Sequence, residues 1–209
     1  RLLPDSPAFV IEPSPSALDV AGTYLRVGIE HIMLGYDHLL FAMALILLVR
    51  GWKRLVGTVT AFTVAHSITL ALAVLGYVRF PVPPVEACIA LSVAFVAAEI
   101  IRSREVRPGL GERAPWVVAF AFGLLHGLGF AGALTVVGLP QPAIPLALLF
   151  FNIGVEIAQL AFFVVVLGLF DVARRLPIPR YEWGWRVVPY AIGSVAMFWV
   201  VERTAGFFS

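Results

Sequence analysis

Charge is what this sequence has least of. Only 13% of its 209 residues are Asp, Glu, Lys or Arg, against about 25% in an ordinary soluble domain. That deficit, with 60% hydrophobic residues and a mean hydropathy of +0.93, excludes a soluble globule and points to an integral membrane protein. The net charge is only +2, and the basic residues cluster in loops, so no nucleic-acid surface is supported. Cysteine is nearly absent. Cys88 alone permits no internal disulfide and reads as packing within an apolar run, and without thiolates a soft copper(I) site has no ligands. There is no Walker-type loop for ATP and no His-Glu-x-x-His helix. No charged segment followed by a short apolar run precedes the first long apolar stretch. With Arg1 at its start, the chain reads as a mature or trimmed product whose signal or upstream region is missing.

Long apolar runs are what the sequence has instead. They fall at about 24–49, 55–78, 85–102, 116–138, 144–170 and 187–202, and a span needs roughly 20 residues. We expect an all-α polytopic bundle of six transmembrane helices. Residues 1–22 would be a Pro-rich extracytoplasmic leader, the remnant of a longer N-terminal region. Residues 23–203 would be the membrane domain and 204–209 a tail. Arg50, Lys53 and Arg54, then Arg102, Arg104, Arg107 and Arg113, then Arg174, Arg175, Arg180 and Arg186 put eleven of the fifteen basic residues in three alternate loops. The positive-inside rule makes those loops cytoplasmic, hence N-out and C-out. Pro81-Val82-Pro83-Pro84 and Pro140-Gln141-Pro142 read as tight outer turns, and Trp116, Trp183 and Trp185 as interfacial anchors at the cytoplasmic side.

The first span carries Glu30-His31 and, seven residues later, Asp37-His38. Ionisable groups are costly in hydrocarbon, so four on one helix imply a shared cation or a water-filled path. On a continuous helix, positions seven apart share a face about 10 Å apart along the axis. The expected picture is therefore two carboxylate–imidazole tiers, an outer and an inner station, too far apart to share one ion.

At 1.5 Å per residue, His38, His66, His126 and Glu156 each come out roughly 16–21 Å along their helices, near the midplane with Asp37. Four helices thus offer imidazole or carboxylate at one depth. Thr60, Thr63 and Ser67 form a stripe beside His66, and Asn152, Glu156 and Gln159 form another; each can orient a ligand or simply hydrogen-bond between helices. Glu99, three residues before Arg102, is explained by snorkelling or an ion pair. Glu86 reads as rim or vestibule. The small residues around His126, in Gly123-Leu124-Leu125-His126-Gly127-Leu128-Gly129-Phe130-Ala131-Gly132, allow a neighbouring helix to approach closely. Phe62-x-x-x-His66 is echoed by Phe122-x-x-x-His126, a faint internal repeat.

Taken together, His31-x5-Asp37-His38, Phe62-Thr-Val-Ala-His66-Ser, Phe122-Gly-Leu-Leu-His126-Gly and Phe151-Asn152-x-Gly154-Val-Glu156 resemble the HupE/UreJ family of bacterial membrane proteins, over about Tyr24 to Val201. The closest likeness is to the branch with an extra extracytoplasmic region before the bundle. The resemblance implies a multi-pass protein of the bacterial inner membrane, linked to hydrogenase and urease accessory functions, some relatives being regarded as nickel permeases. It gives His31, Asp37 and His38 a metal role. The His and Glu residues that follow the His-Gly pair in the nickel branch are missing here. The ion is therefore left open among nickel, zinc, cobalt, copper(II) and manganese.

The expected metal set is His31, Asp37, His38, His66, His126 and Glu156. Glu30, Thr63, Ser67, Asn152 and Gln159 are expected to support ligands or line a path. The leading function is a permease for a divalent transition metal, with the lipid bilayer as its surroundings and an accessory or extracytoplasmic delivery protein as a further partner. An intramembrane metal-dependent hydrolase using Ser67, or a sensor without flux, are the alternatives.

Overall fold

A computed structural model describes residues 16–106, 109–136, 141–176 and 184–207, with only the backbone given at 130–136 and 141. Among them the regular structure is entirely helical. The helices are α1 (Ala17–Leu34), α2 (Tyr36–Leu48), α3 (Trp52–Val74), α4 (Val82–Glu105), the single turn α5 (Leu110–Arg113), α6 (Pro115–Val136), α7 (Ile144–Arg175) and α8 (Gly184–Ala205). A 3₁₀ turn at Gln141–Ala143 leads into α7. Four helices, α3, α4, α7 and α8, are long and apolar enough to cross a membrane, and the α1–α2 pair makes five if it is one broken span. The apolar stretch Pro115–Gly129 of α6 is shorter.

Several boundaries follow from local chemistry. Ser16 opens α1 with a capping box: its hydroxyl accepts from the Asp19 N–H while the Asp19 carboxylate accepts from the Ser16 N–H. Helix α1 therefore starts inside the segment expected to be leader, whose first fifteen residues lie outside the described part. Gly51 holds φ +93° between α2 and α3, a conformation that favours glycine. Pro81–Pro84 proves not to be a turn. Val82, Pro83 and Pro84 form the first turn of α4, where the missing proline N–H costs nothing. Pro140, Trp183, Arg107 and Arg180 lie outside the described residues; Trp116 is exposed at the start of α6.

The helices pack as close pairs. In α1 and α7, Gly28 lies against the Phe151 carbonyl and Gly154 against the Leu25 carbonyl, with no room for a Cβ at either. Helices α3 and α6 run parallel, Gly123 meeting the Phe62 carbonyl and Gly127 the His66 carbonyl. Lipid tails are as apolar as any side chain, so association of such helices relies on close backbone contact of this kind. Helices α4 and α8 are antiparallel: Glu105 meets Arg186 at one end (2.7 Å) and the Glu86 carbonyl meets Arg203 at the other (2.8 Å). One apolar cluster, with Phe41, Leu45, Val59, Phe62, Val96 and Phe163 at its centre, fills the bundle between α2, α3, α4 and α7.

Glu99 departs from expectation. It does not pair with Arg102 at the surface; it is 5% exposed, packed against Gly109 and Gly111, and its Oε1 has no hydrogen-bond partner among the described residues. Gly109 and Gly111, at and inside the α5 turn, leave the space that the carboxylate fills.

Candidate metal centre

The first span is not one helix. The chain leaves helical geometry at Gly35 (φ −82°, ψ 90°), and α1 and α2 meet at 72°. A Cβ at Gly35 would stand 2.6 Å from the His31 carbonyl and 2.8 Å from His38 Nδ1, so the break needs glycine for space. The bend overturns the two-tier picture. His31 and His38 are folded towards each other, with ring centroids 4.6 Å apart and edge to face.

His66 completes the group. Its ring lies 6.1 Å from that of His31 and 6.3 Å from that of His38. One ligand atom from each of His31, His38 and His66 can be chosen so that all three lie within 4.8 Å of one another. His126 adjoins this triad, its ring 4.9 Å from that of His38. His38, His66 and His126 are buried. Phe41, Phe62 and Phe151, all fully buried, wall the rings in: Phe62 contacts His38, His66 and His126, Phe41 contacts His126, and Phe151 contacts His31 and His66.

Hydrogen-bond bookkeeping indicates which nitrogens carry lone pairs. Asn152 donates its amide to the Leu148 carbonyl (2.8 Å), which leaves its Oδ1 facing His66 Nδ1 at 3.2 Å. An oxygen there accepts, so Nδ1 carries the proton and Nε2 the lone pair. That Nε2 has no partner among the described residues. Ser92 donates to the Ile89 carbonyl (2.7 Å), so its oxygen accepts from His126 Nε2 at 3.1 Å, and the lone pair falls on Nδ1, also without a partner. His38 Nε2 is likewise buried without one. Buried polar atoms are nearly always satisfied, and open nitrogens on His38 and His66, two members of the triad, are what a cation site requires. The donor set is all nitrogen and suits a borderline transition metal.

The carboxylates expected at the site are placed elsewhere. Asp37 pairs with Arg203, Nη2 to Oδ2 at 2.9 Å. Glu156 accepts from Thr60 at 2.7 Å, its Oε2 buried and without a partner, and it is not a member of the triad. Glu30 pairs with Arg26 at 2.7 Å and lines, with Val27, His31, Leu34 and Gly35, an open groove of about 370 Å³ that reaches His31. Thr63 bonds Gln159 (3.3 Å) and the Val59 carbonyl, and Ser67 donates to the Thr63 carbonyl (2.7 Å); neither bonds a histidine. Of the expected supporting residues, Asn152 touches an imidazole through a hydrogen bond, that of His66.

Comparison with known families resolves the chain's kinship. The family model described as HupE/UreJ protein matches residues 8–203, nearly the whole chain. The chain belongs to the HupE/UreJ family. No curated protein and no solved structure matches it. In this HupE/UreJ protein, Ser92 and Arg203 are site neighbours that sequence reasoning passed over. Ser92 had a signal, as a hydroxyl inside an otherwise apolar span. Arg203 had one too, being a cation at an end of the chain otherwise poor in them.

Proposed function

We propose that this HupE/UreJ protein is a permease for a divalent transition metal ion in the bacterial inner membrane. The observation that carries the reading is the triad of His31, His38 and His66 at the break of the first span, His38 and His66 buried and His31 half-buried, with the His66 Nε2 lone pair directed away from its Asn152 partner. In our reading the α1–α2 pair is one broken crossing and α6 is a crossing. This makes six spans with both termini outside, a reading that the distribution of basic residues supports. Interrupted spanning helices are where transporters bind their cargo, because the break exposes side chains and backbone to a cavity. The groove beside Glu30 and His31 then serves as the approach to the triad, His126 as the next imidazole inward, and Glu156 as a carboxylate further along.

The metal is cargo here, and its identity is proposed only as a class: nickel, zinc, cobalt, copper(II) or manganese. Hydrolysis finds little support, because the Ser67 hydroxyl is committed to a backbone carbonyl.

Uptake of radioactive nickel and cobalt by metal-starved cells expressing wild type, His38→Ala and His66→Ala tests the proposal. We expect accumulation that both substitutions abolish. Metal binding by the purified protein without any accumulation would instead identify a sensor or accessory subunit.

A further inference from the structure

Asp37 already holds a cation. Arg203, in the last turn of α8, places Nη2 2.9 Å from Asp37 Oδ2 and Nη1 2.8 Å from the Glu86 carbonyl, and lays its guanidinium 5.6 Å from the Trp199 ring centroid. The pair therefore ties the first turn of α2 to α4 and α8. Both side chains are only about one-fifth exposed (21% and 20%). A charge so placed is costly to leave unpaired, and a guanidinium stays charged in any setting. Asp37 immediately precedes His38, whose Nε2 is buried without a hydrogen-bond partner.

We propose that Arg203 is a tethered counter-cation. It neutralises Asp37 whenever no metal ion is bound, and an arriving ion takes over the Asp37 carboxylate by displacing the guanidinium. The inference rests on the metal-binding reading above. The carbonyl of Glu86 and the face of Trp199 give the displaced guanidinium contacts that do not depend on Asp37. Binding then breaks one ion pair and release restores it, which holds affinity down and favours discharge of the cargo. A fixed structural staple would have the opposite consequence, because its removal would weaken the site.

The test is cobalt(II) titration of the purified full chain in detergent, followed by calorimetry and by the visible spectrum of the bound ion. It compares wild type, Arg203→Gln, Arg203→Met, Asp37→Asn, the Arg203→Gln/Asp37→Asn double variant and His66→Ala. Arg203→Met keeps an unbranched stem beside Trp199 and serves if the glutamine variant does not fold. Loss of a guanidinium a few ångströms from the carboxylate should tighten binding by roughly tenfold or more, the attraction removed being larger at a partly buried pair than in bulk water. That gain should vanish in the double variant, and the spectrum of the single variant should match that of wild type at saturation. Unchanged or weakened affinity in both Arg203 variants overturns the proposal, as does a gain that survives Asp37→Asn. If wild type shows no binding that His66→Ala removes, the metal-binding reading itself fails, and this inference with it.

Discussion

His31 and His38 stand edge to face with ring centroids 4.6 Å apart, although seven residues separate them on what reads as one helix. A straight helix would hold them about 10 Å apart. The break at Gly35 closes that distance and turns two stations into one. Substituting Gly35 by Ala should undo this, since its Cβ would press on both the His31 carbonyl and His38 Nδ1. We expect helical content by circular dichroism to persist while metal affinity falls by about 10–100-fold, the range typical of disturbed ligand support. Wild-type affinity in Gly35→Ala would show that the bend does not assemble the site.

Asn152 orients His66 through its Oδ1, 3.2 Å from His66 Nδ1. Asn152→Ala should leave His66 Nδ1 without its acceptor and lower metal affinity by about 10–100-fold. Ser67→Ala, which removes only a bond to a backbone carbonyl, should bind as wild type does. Equal losses in both variants would mean general disturbance of α3 and α7 rather than tautomer control.

Protons compete with a metal ion for the same imidazole lone pairs, so binding should weaken as pH falls far enough to protonate the rings, and should release protons there. Acid favours the protonated ring, which has no lone pair to offer, and the sign follows. Titration of the purified protein in two buffers of different ionisation enthalpy would count the protons released. A count of zero at every pH would remove the histidines from the ligand set.

Helix pairing depends on glycines that touch backbone. Gly154→Ala and Gly127→Ala should each destabilise the folded protein by about 1–3 kcal/mol, the usual cost of overpacking. Gly57→Ala and Gly168→Ala, which meet nothing within 4 Å, should be tolerated. Thermal unfolding in detergent reads the difference, and equal midpoints for all four would refute the packing argument.

For the orientation, single cysteines are introduced in a Cys88→Ser background. Phe80→Cys should react with an impermeant thiol reagent applied outside intact cells, and Arg175→Cys only after permeabilisation. Both parent side chains are exposed. The reverse pattern would invert the topology.

Composition alone determined that this is a helical membrane protein, because a chain so poor in charge has few other ways to satisfy its backbone. The motifs determined its family and the identity of the four clustered histidines, since ionisable side chains stand out against an apolar background. Helical arithmetic then failed at Gly35. Periodicity assumes a continuous axis, and a glycine needed for space rather than for positive φ leaves no clear mark in one sequence. Arithmetic failed too for the carboxylates. Depth along a helix says which residues share a level, but not which way each side chain points. Only the packing of α8 against α2 and α4 gives Asp37 to Arg203, and only the pairing of α3 with α7 gives Asn152 to His66 and Thr60 to Glu156. Those contacts join residues more than 80 positions apart, and their geometry is set by crossing helices that no local pattern encodes.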